Sequence, residues 1–177
     1  MKQKLFFSIL FFCISIGVFA QKPPLIKVYA YSQAVMQGTK PTTTVDETGK
    51  EIKVLPKNKM SYFFYAEQKR STVINIISVW IKDKNYGVKT SVVLQTPVEM
   101  KNEDPAYANK TITLVPKSSN KILLITPGSE KLPSKKPPLY LRKAVTSSEL
   151  VIVYEWKGRF WYSEVKKIKE LKPLAAV

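Results

Sequence analysis

The chain has 177 residues, with 29 Lys and Arg against 13 Asp and Glu, no His and one Cys. This length fits one domain, and a hydrophobic content of 45% is typical of a globular chain rather than a disordered one. The absence of His removes the most common general base and metal ligand, and a single Cys cannot build a disulfide framework. The counts therefore argue against the common hydrolytic enzymes and against a metal protein.

Residues 1–20 have the pattern of a secretory signal peptide. Lys2 and Lys4 precede an apolar run, and Ala20 is the small residue expected before a cleavage position. We expect cleavage after Ala20, export to the periplasm or outer surface of a bacterial envelope, and no transmembrane helix in the mature chain. Cleavage would remove Cys13 and two Lys, which lowers the net charge from +16 to +14.

Turn-forming residues recur along residues 21–177 about every ten positions, and the segments between them are rich in Val, Ile, Thr, Tyr and Phe. This spacing predicts an all-β fold, a single immunoglobulin-like β-sandwich of about seven to nine antiparallel strands. No long segment has the 3.6-residue period of an amphipathic helix. We therefore expect one sandwich-like domain over 21–177, after the signal peptide.

The first strand is expected over 25–36, where apolar residues alternate with Lys, Tyr and Gln. Hairpins are expected over 42–55, where Gly49 can adopt a positive φ, and over 61–82. Residues 73–81 are apolar on both faces, which is typical of a strand inside a sheet. Further strands are expected over 86–95, 111–115 and 121–126.

The clearest hairpin turns at Lys157-Gly158. A two-residue turn there places Trp156 opposite Arg159 and Tyr154 opposite Trp161. After this hairpin, apolar residues recur three positions apart, which predicts a short helical turn near the end of the chain.

The segment 131–143 differs from the rest because it holds three prolines, five basic residues and no acidic residue. Proline disfavours helix in the residues before it, so we expect an extended loop. Its basic residues, together with the aromatic and basic residues of the last hairpin, are the candidate binding residues. They are Lys135, Lys136, Arg142, Lys143, Trp156, Arg159 and Trp161.

Each candidate also has a purely structural interpretation, since hairpin aromatics often pack in a core and charged runs often face water. We assign no catalytic residue, metal ligand or cofactor. Paired carboxylates such as Glu47 and Glu51 lie in a polar, turn-like stretch, and we expect them to be solvated.

These observations predict an exported, non-catalytic β-domain that acts as an accessory or interaction subunit of a bacterial envelope complex, periplasmic or outer-membrane-associated. Its expected partner is another envelope protein. The alternative is a binding module for an anionic or sugar polymer such as lipopolysaccharide or peptidoglycan, or for lipid head groups. Nucleic acid is not an expected partner, because only three basic residues of the chain are Arg.

Overall fold

The computed structural model describes residues 24, 26–36, 42–45, 48–49, 51–54, 59–101, 111–130 and 136–175. These residues form twelve β-strands and one helix, which confirms the all-β class. The strands are β1 (Lys27–Met36), β2 (Thr42–Val45), β3 (Glu51–Val54), β4 (Lys59–Gln68), β5 (Asn75–Ile81), β6 (Lys84–Val93), β7 (Val98–Lys101), β8 (Thr111–Val115), β9 (Lys121–Glu130), β10 (Leu150–Trp156), β11 (Arg159–Val165) and β12 (Lys169–Ala175). The helix is α1 (Leu139–Ser147).

Eight strands form one mixed sheet in the order β11-β10-β5-β6-β9-β4-β1-β12, and β2–β3 and β7–β8 form two separate hairpin ribbons. The pairs within the large sheet are antiparallel, except that β1 runs parallel to β12. The expectation of antiparallel strands alone is therefore wrong at this end of the sheet. Eight of the described strands form one large curled sheet, and the two facing sheets of the expected sandwich are not confirmed.

The sheet curls because its inner face must bury a continuous apolar surface. Strands from opposite halves of the sheet supply one core cluster, which joins Ala30 of β1, Phe64 of β4 and Ile152 of β10. The strand β1 also approaches β11, although the two lie far apart in the strand order. Burial of apolar area is the main favourable term in folding, so the curl lets one sheet enclose its own core.

The outer face of the sheet is covered by two small elements. The β7–β8 ribbon packs over one half, where Leu114 and Val115 form a second cluster with Tyr31 and Tyr65. The helix α1 packs over the other half, in a third cluster of Trp80, Leu141, Ala144, Val145, Val151 and Val153. Alternate residues of a strand point to opposite faces, so most central strands bury both of their faces.

Several local expectations can be compared with these elements. The hairpin over 42–55 is confirmed by the antiparallel pair β2–β3. The position of 73–81 inside a sheet is confirmed, since β5 lies between β10 and β6. The expected hairpin over 61–82 is wrong, because β4 pairs with β1 and β9 instead of β5. Alternation alone cannot tell a neighbour in sequence from a neighbour in the sheet.

The expected extended loop over 131–143 is wrong for its last residues, which open the helix α1. Pro138 precedes the helix with φ −50°, a value that proline tolerates at the start of a helix. The prolines therefore mark where the helix begins. Residues 131–135 lie outside the described part of the chain.

The short helical turn expected near the C-terminus is wrong as well. Only residues 166–168 are irregular there, and residues 169–175 form β12. Ile168 and Leu171 are buried in two different clusters, which explains their apolar character without a helix. Within the described residues, no helix has the length and apolar character needed to cross a membrane.

Phe64 tests the dependence of the fold on its inner core, since its side chain is fully buried. We expect Phe64→Ala to lower the free energy of unfolding by about 3–5 kcal/mol, because it leaves a cavity in the inner cluster. Val73 is 79% exposed, so Val73→Ala should change stability by less than about 0.5 kcal/mol. Urea denaturation of both variants measures this difference, and similar losses in the two would contradict the assigned core.

Candidate functional site

The hairpin β10–β11 has the register that the sequence predicts. Trp156 lies opposite Arg159, and Tyr154 lies opposite Trp161. Both turn residues have positive φ, 50° at Lys157 and 70° at Gly158. A two-residue turn of this kind matches the twist of the flanking strands and so fixes which residues share a face.

The two tryptophans of this hairpin face the inside of the curled sheet. Trp156 and Trp161 are partly buried and pack against the inner core cluster. The indole Nε1 of Trp161 is buried and has no hydrogen-bond partner among the described residues. The Nζ of Lys157 lies 4.9 Å from the Trp156 ring centroid, which is a cation–π distance. These two rings therefore contribute chiefly to packing.

The other face of β11 carries aromatic side chains into solvent. Phe160 is 60% exposed and Tyr162 is 41% exposed. Both lie on a terminal strand of the large sheet, which pairs with β10 alone. Large aromatic residues on a protein surface are a common feature of binding interfaces.

The link between α1 and β10 is short and tightly held. Ser148 Oγ donates to Glu164 Oε2 at 3.0 Å, and the Glu149 carboxylate accepts from the Ile168 N–H at 2.7 Å. Lys82 N–H also donates to the Glu149 carbonyl at 3.0 Å. Because this link spans two residues, α1 must run back along β10, and its first turns lie near Val153 and its neighbours.

One side of α1 faces β11. Lys166 Nζ donates to Ser147 Oγ at 3.3 Å. The pKa of the Glu164 carboxyl is lowered, first by a hydrogen bond from Lys166, and also by Ser148 and the charge of Lys143. Residues three and seven positions apart share a helix face, so the side that holds Lys143 and Ser147 also holds Tyr140.

Tyr140, Phe160 and Tyr162 therefore lie on the same side of the molecule, which we call the α1–β11 surface. Tyr140 is 51% exposed, and the adjacent Leu139 is 81% exposed. In the ladder, Tyr162 lies opposite Val153, which packs in the same cluster as Leu141. This places the exposed aromatics of β11 beside the beginning of α1.

Four of the predicted basic residues are described, and Lys136, Arg142, Lys143 and Arg159 are all exposed. Lys143 lies on the Tyr140 side of α1, whereas Arg142 lies on another side of the helix. Arg159 lies opposite Trp156 and so shares the inner face with the tryptophans. Arg142 Nε donates to the Pro137 carbonyl at 3.3 Å, which holds the first turn of α1 against the preceding segment. Lys135 lies outside the described residues.

Sequence reasoning missed Tyr140 as a site residue, because the segment 131–143 was expected to be extended. It also grouped the hairpin aromatics together, although alternation separates Trp161 from Phe160 and Tyr162. The predicted register already contained the distinction, because it puts Trp161 on the same face as Tyr154 and leaves Phe160 and Tyr162 on the other face. A strand buried on that face leaves the intervening residues outside.

A second polar cluster surrounds the carboxylate of Glu67, which lies on β4 in the other half of the large sheet. Tyr29 Oη donates to Glu67 Oε2 at 2.7 Å, and Ser118 Oγ donates to Oε1 at 2.6 Å. Asn120 Nδ2 also donates to Oε1, at 2.8 Å. The hydrogen bond from Ser118 is the largest cause that lowers the pKa of Glu67, followed by those from Tyr29 and Asn120.

No family model, curated protein or solved structure matches this chain. In the part of the chain that the structure describes, no group of three or more His, Cys, Asp or Glu side chains could hold a metal ion. The described residues thus form an all-β structure with a curled mixed sheet and with exposed aromatic side chains beside its one described helix.

The Glu67 cluster predicts a pH-dependent stability. A carboxyl whose pKa is lower in the folded state stabilises the fold above its unfolded pKa, and this contribution is lost as the pH falls through the folded pKa. We expect Glu67→Gln to lower Tm by about 2–4 °C at pH 7 and by less at pH 3, which lies below the unfolded pKa of a glutamate. Thermal melts at both pH values test this, with Glu170→Gln as the control for a lost surface charge. An equal deficit at pH 3 would contradict it.

Proposed function

We propose that this protein is an exported, non-catalytic β-domain that acts as an interaction subunit of a bacterial envelope complex. The observation that carries the proposal is the exposure of Tyr140, Phe160 and Tyr162 on one side of the molecule. The absence of His from the chain, and a single Cys within the expected signal peptide, support a role without catalysis.

The α1–β11 surface has the composition of a protein interface. Aromatic side chains are enriched in the centres of interfaces, and they supply a large contact area at a small cost in conformational entropy. Here the aromatics stand on a sheet edge and a helix that are fixed by the Ser148–Glu164 and Glu149–Ile168 hydrogen bonds. A partner would therefore meet a preformed surface, which lowers the entropic cost of binding.

Charge indicates the chemistry of the partner. Charged side chains of both signs lie on the same side as these aromatics. Lys143 and Lys166 are the basic residues near Glu164, and Glu155 lies opposite Phe160. A complementary partner is a protein segment with apolar side chains for the three aromatics and charges of both signs around them. A second copy of this basic chain would meet repulsion instead.

The alternative, an anionic or sugar polymer of the envelope, is favoured by the exposure of Lys136, Arg142 and Lys143 in one short segment. Binding of that kind depends on charge and weakens steeply with salt. Binding through buried aromatic side chains is much less sensitive to salt. Salt dependence therefore separates the two candidates.

The test compares two double variants of the full chain, each of which removes two exposed apolar side chains. Phe160→Ser/Tyr162→Ser changes the α1–β11 surface, and Met60→Ser/Val73→Ser changes exposed positions elsewhere. Tagged proteins are recovered from detergent-solubilised envelopes at 50 mM and 500 mM salt. We expect one stoichiometric protein set with the wild type and with the control variant at both salts, and its loss with Phe160→Ser/Tyr162→Ser.

The identified partner is then purified, and its binding to each variant is measured directly. We expect Kd to rise at least about tenfold for Phe160→Ser/Tyr162→Ser, because hot-spot aromatics dominate interface energies. Equal Kd values for both variants would contradict the surface. Recovery of only polysaccharide or lipid, lost at high salt, would replace the proposal with the polymer-binding alternative.

Export has its own test. We expect the protein recovered from the envelope to begin at Gln21, because Ala20 is the small residue that precedes the expected cleavage position. Mass spectrometry of the intact recovered protein measures its N-terminus. Recovery of the chain with residues 1–20 attached, or from the cytoplasm alone, would contradict export through a cleaved signal peptide.

A further inference from the structure

An open groove lies at one end of the curled sheet, and none of its lining residues belongs to α1, β10 or β11. The chain crosses this end between β4 and β5, because β9 and β6 lie between those two strands in the sheet. Ile74 of the crossing segment is buried in the inner core, whereas Arg70 is exposed. The groove has a volume of about 340 Å³ and is lined by Arg70, Val92, Val93, Leu94, Thr96, Ser118, Asn120 and Lys121.

Two cations line this groove, and within the described residues neither has a carboxylate partner. Arg70 follows β4, and Lys121 is the first residue of β9. The Glu67 carboxylate is near, but it points to the outer face of β4 and is already hydrogen-bonded by Tyr29, Ser118 and Asn120. Arg70 and Lys121 therefore give the lining of the groove two positive charges.

The polar wall of the groove is rigid. Thr96 Oγ1 donates to the Ser118 carbonyl at 3.1 Å and accepts from the Ser118 N–H at 3.0 Å. The side-chain donors of Ser118 and Asn120 are directed to Glu67. Since these groups are occupied, recognition of an anion falls to the guanidinium of Arg70 and the ammonium of Lys121.

The opposite side of the groove is apolar and open to solvent. Val92 is 50% exposed and Leu94 is 92% exposed. Val92 lies opposite Leu123 of the inner core, so the apolar rim is continuous with the interior of the sheet. An exposed leucine provides an apolar contact, and the two cations beside it provide positive charge. A site for an amphiphile needs both.

We propose that this groove binds a single-chain anionic amphiphile, with a carboxylate or phosphate head group. Arg70 and Lys121 hold the head group. Val92 and Leu94 contact the hydrocarbon chain. The guanidinium of Arg70 can form two parallel hydrogen bonds with either head group.

The proposal is tested by isothermal titration calorimetry of the folded protein. The probes are dodecyl phosphate and dodecanoate below their micelle-forming concentrations, with inorganic phosphate and the uncharged dodecyl maltoside for comparison. We expect one site for at least one anionic amphiphile, and a Kd at least about tenfold higher for each comparison probe. Tighter binding of dodecyl phosphate would indicate a ligand with a phosphate head group, and tighter binding of dodecanoate would indicate one with a carboxylate.

Two matched double variants locate the site. Arg70→Gln/Lys121→Gln should weaken binding of the preferred amphiphile at least about tenfold, whereas Lys89→Gln/Lys101→Gln removes the same charge from exposed strand positions and should leave Kd unchanged. Leu94→Ser should weaken binding of the amphiphile and should leave binding of inorganic phosphate unchanged. Circular dichroism melts verify that each variant is folded.

Three results would overturn the proposal: no binding of either amphiphile by the wild type, equal weakening by both double variants, or inorganic phosphate bound as tightly as dodecyl phosphate. Phe160→Ser/Tyr162→Ser should bind the amphiphile as the wild type does. Loss of binding in that variant would mean that the amphiphile occupies the α1–β11 surface, and it would also contradict the groove.

Discussion

The central constraint on this molecule is that its large sheet is apolar on both faces. In β10, Ile152 faces the inner core and Val151 faces α1, and both side chains are fully buried. A single flat sheet could not satisfy such strands, because each apolar face needs a covering layer. The curl covers the inner face, and α1 and the β7–β8 ribbon cover the outer face in two separate patches.

The candidate protein-binding surface is a consequence of where this outer cover ends. The helix α1 has nine residues and packs over β10 and β5, so β11 at the sheet margin lies beside it rather than beneath it. Phe160 and Tyr162 consequently remain exposed, while Trp161 between them is drawn to the inner core. The helix α1 thus both covers this part of the core and places Tyr140 beside Phe160 and Tyr162.

The sequence predicts local features well and distant pairings poorly. The β10–β11 register follows from a two-residue turn and strict alternation, both of which involve neighbours in the chain. No comparable local signal shows that β4 neighbours β9 or that β1 meets β12. The helix α1 was missed because prolines before it favour an extended chain, although they also begin helices. The position of Tyr140 beside β11 was missed with it, whereas the exposure of Lys136, Arg142 and Lys143 is what a run of charged residues predicts.

The parallel pairing of β1 with β12 affects how this chain can fold. Tyr31 pairs with Lys169 and Met36 with Ala175, so β1 cannot complete its pairing before β12 is in place. In a chain that emerges from its N-terminus, β1 therefore keeps one unpaired edge until residues 169–175 have followed. Contacts of such high sequence separation slow folding and leave strand edges open to wrong partners.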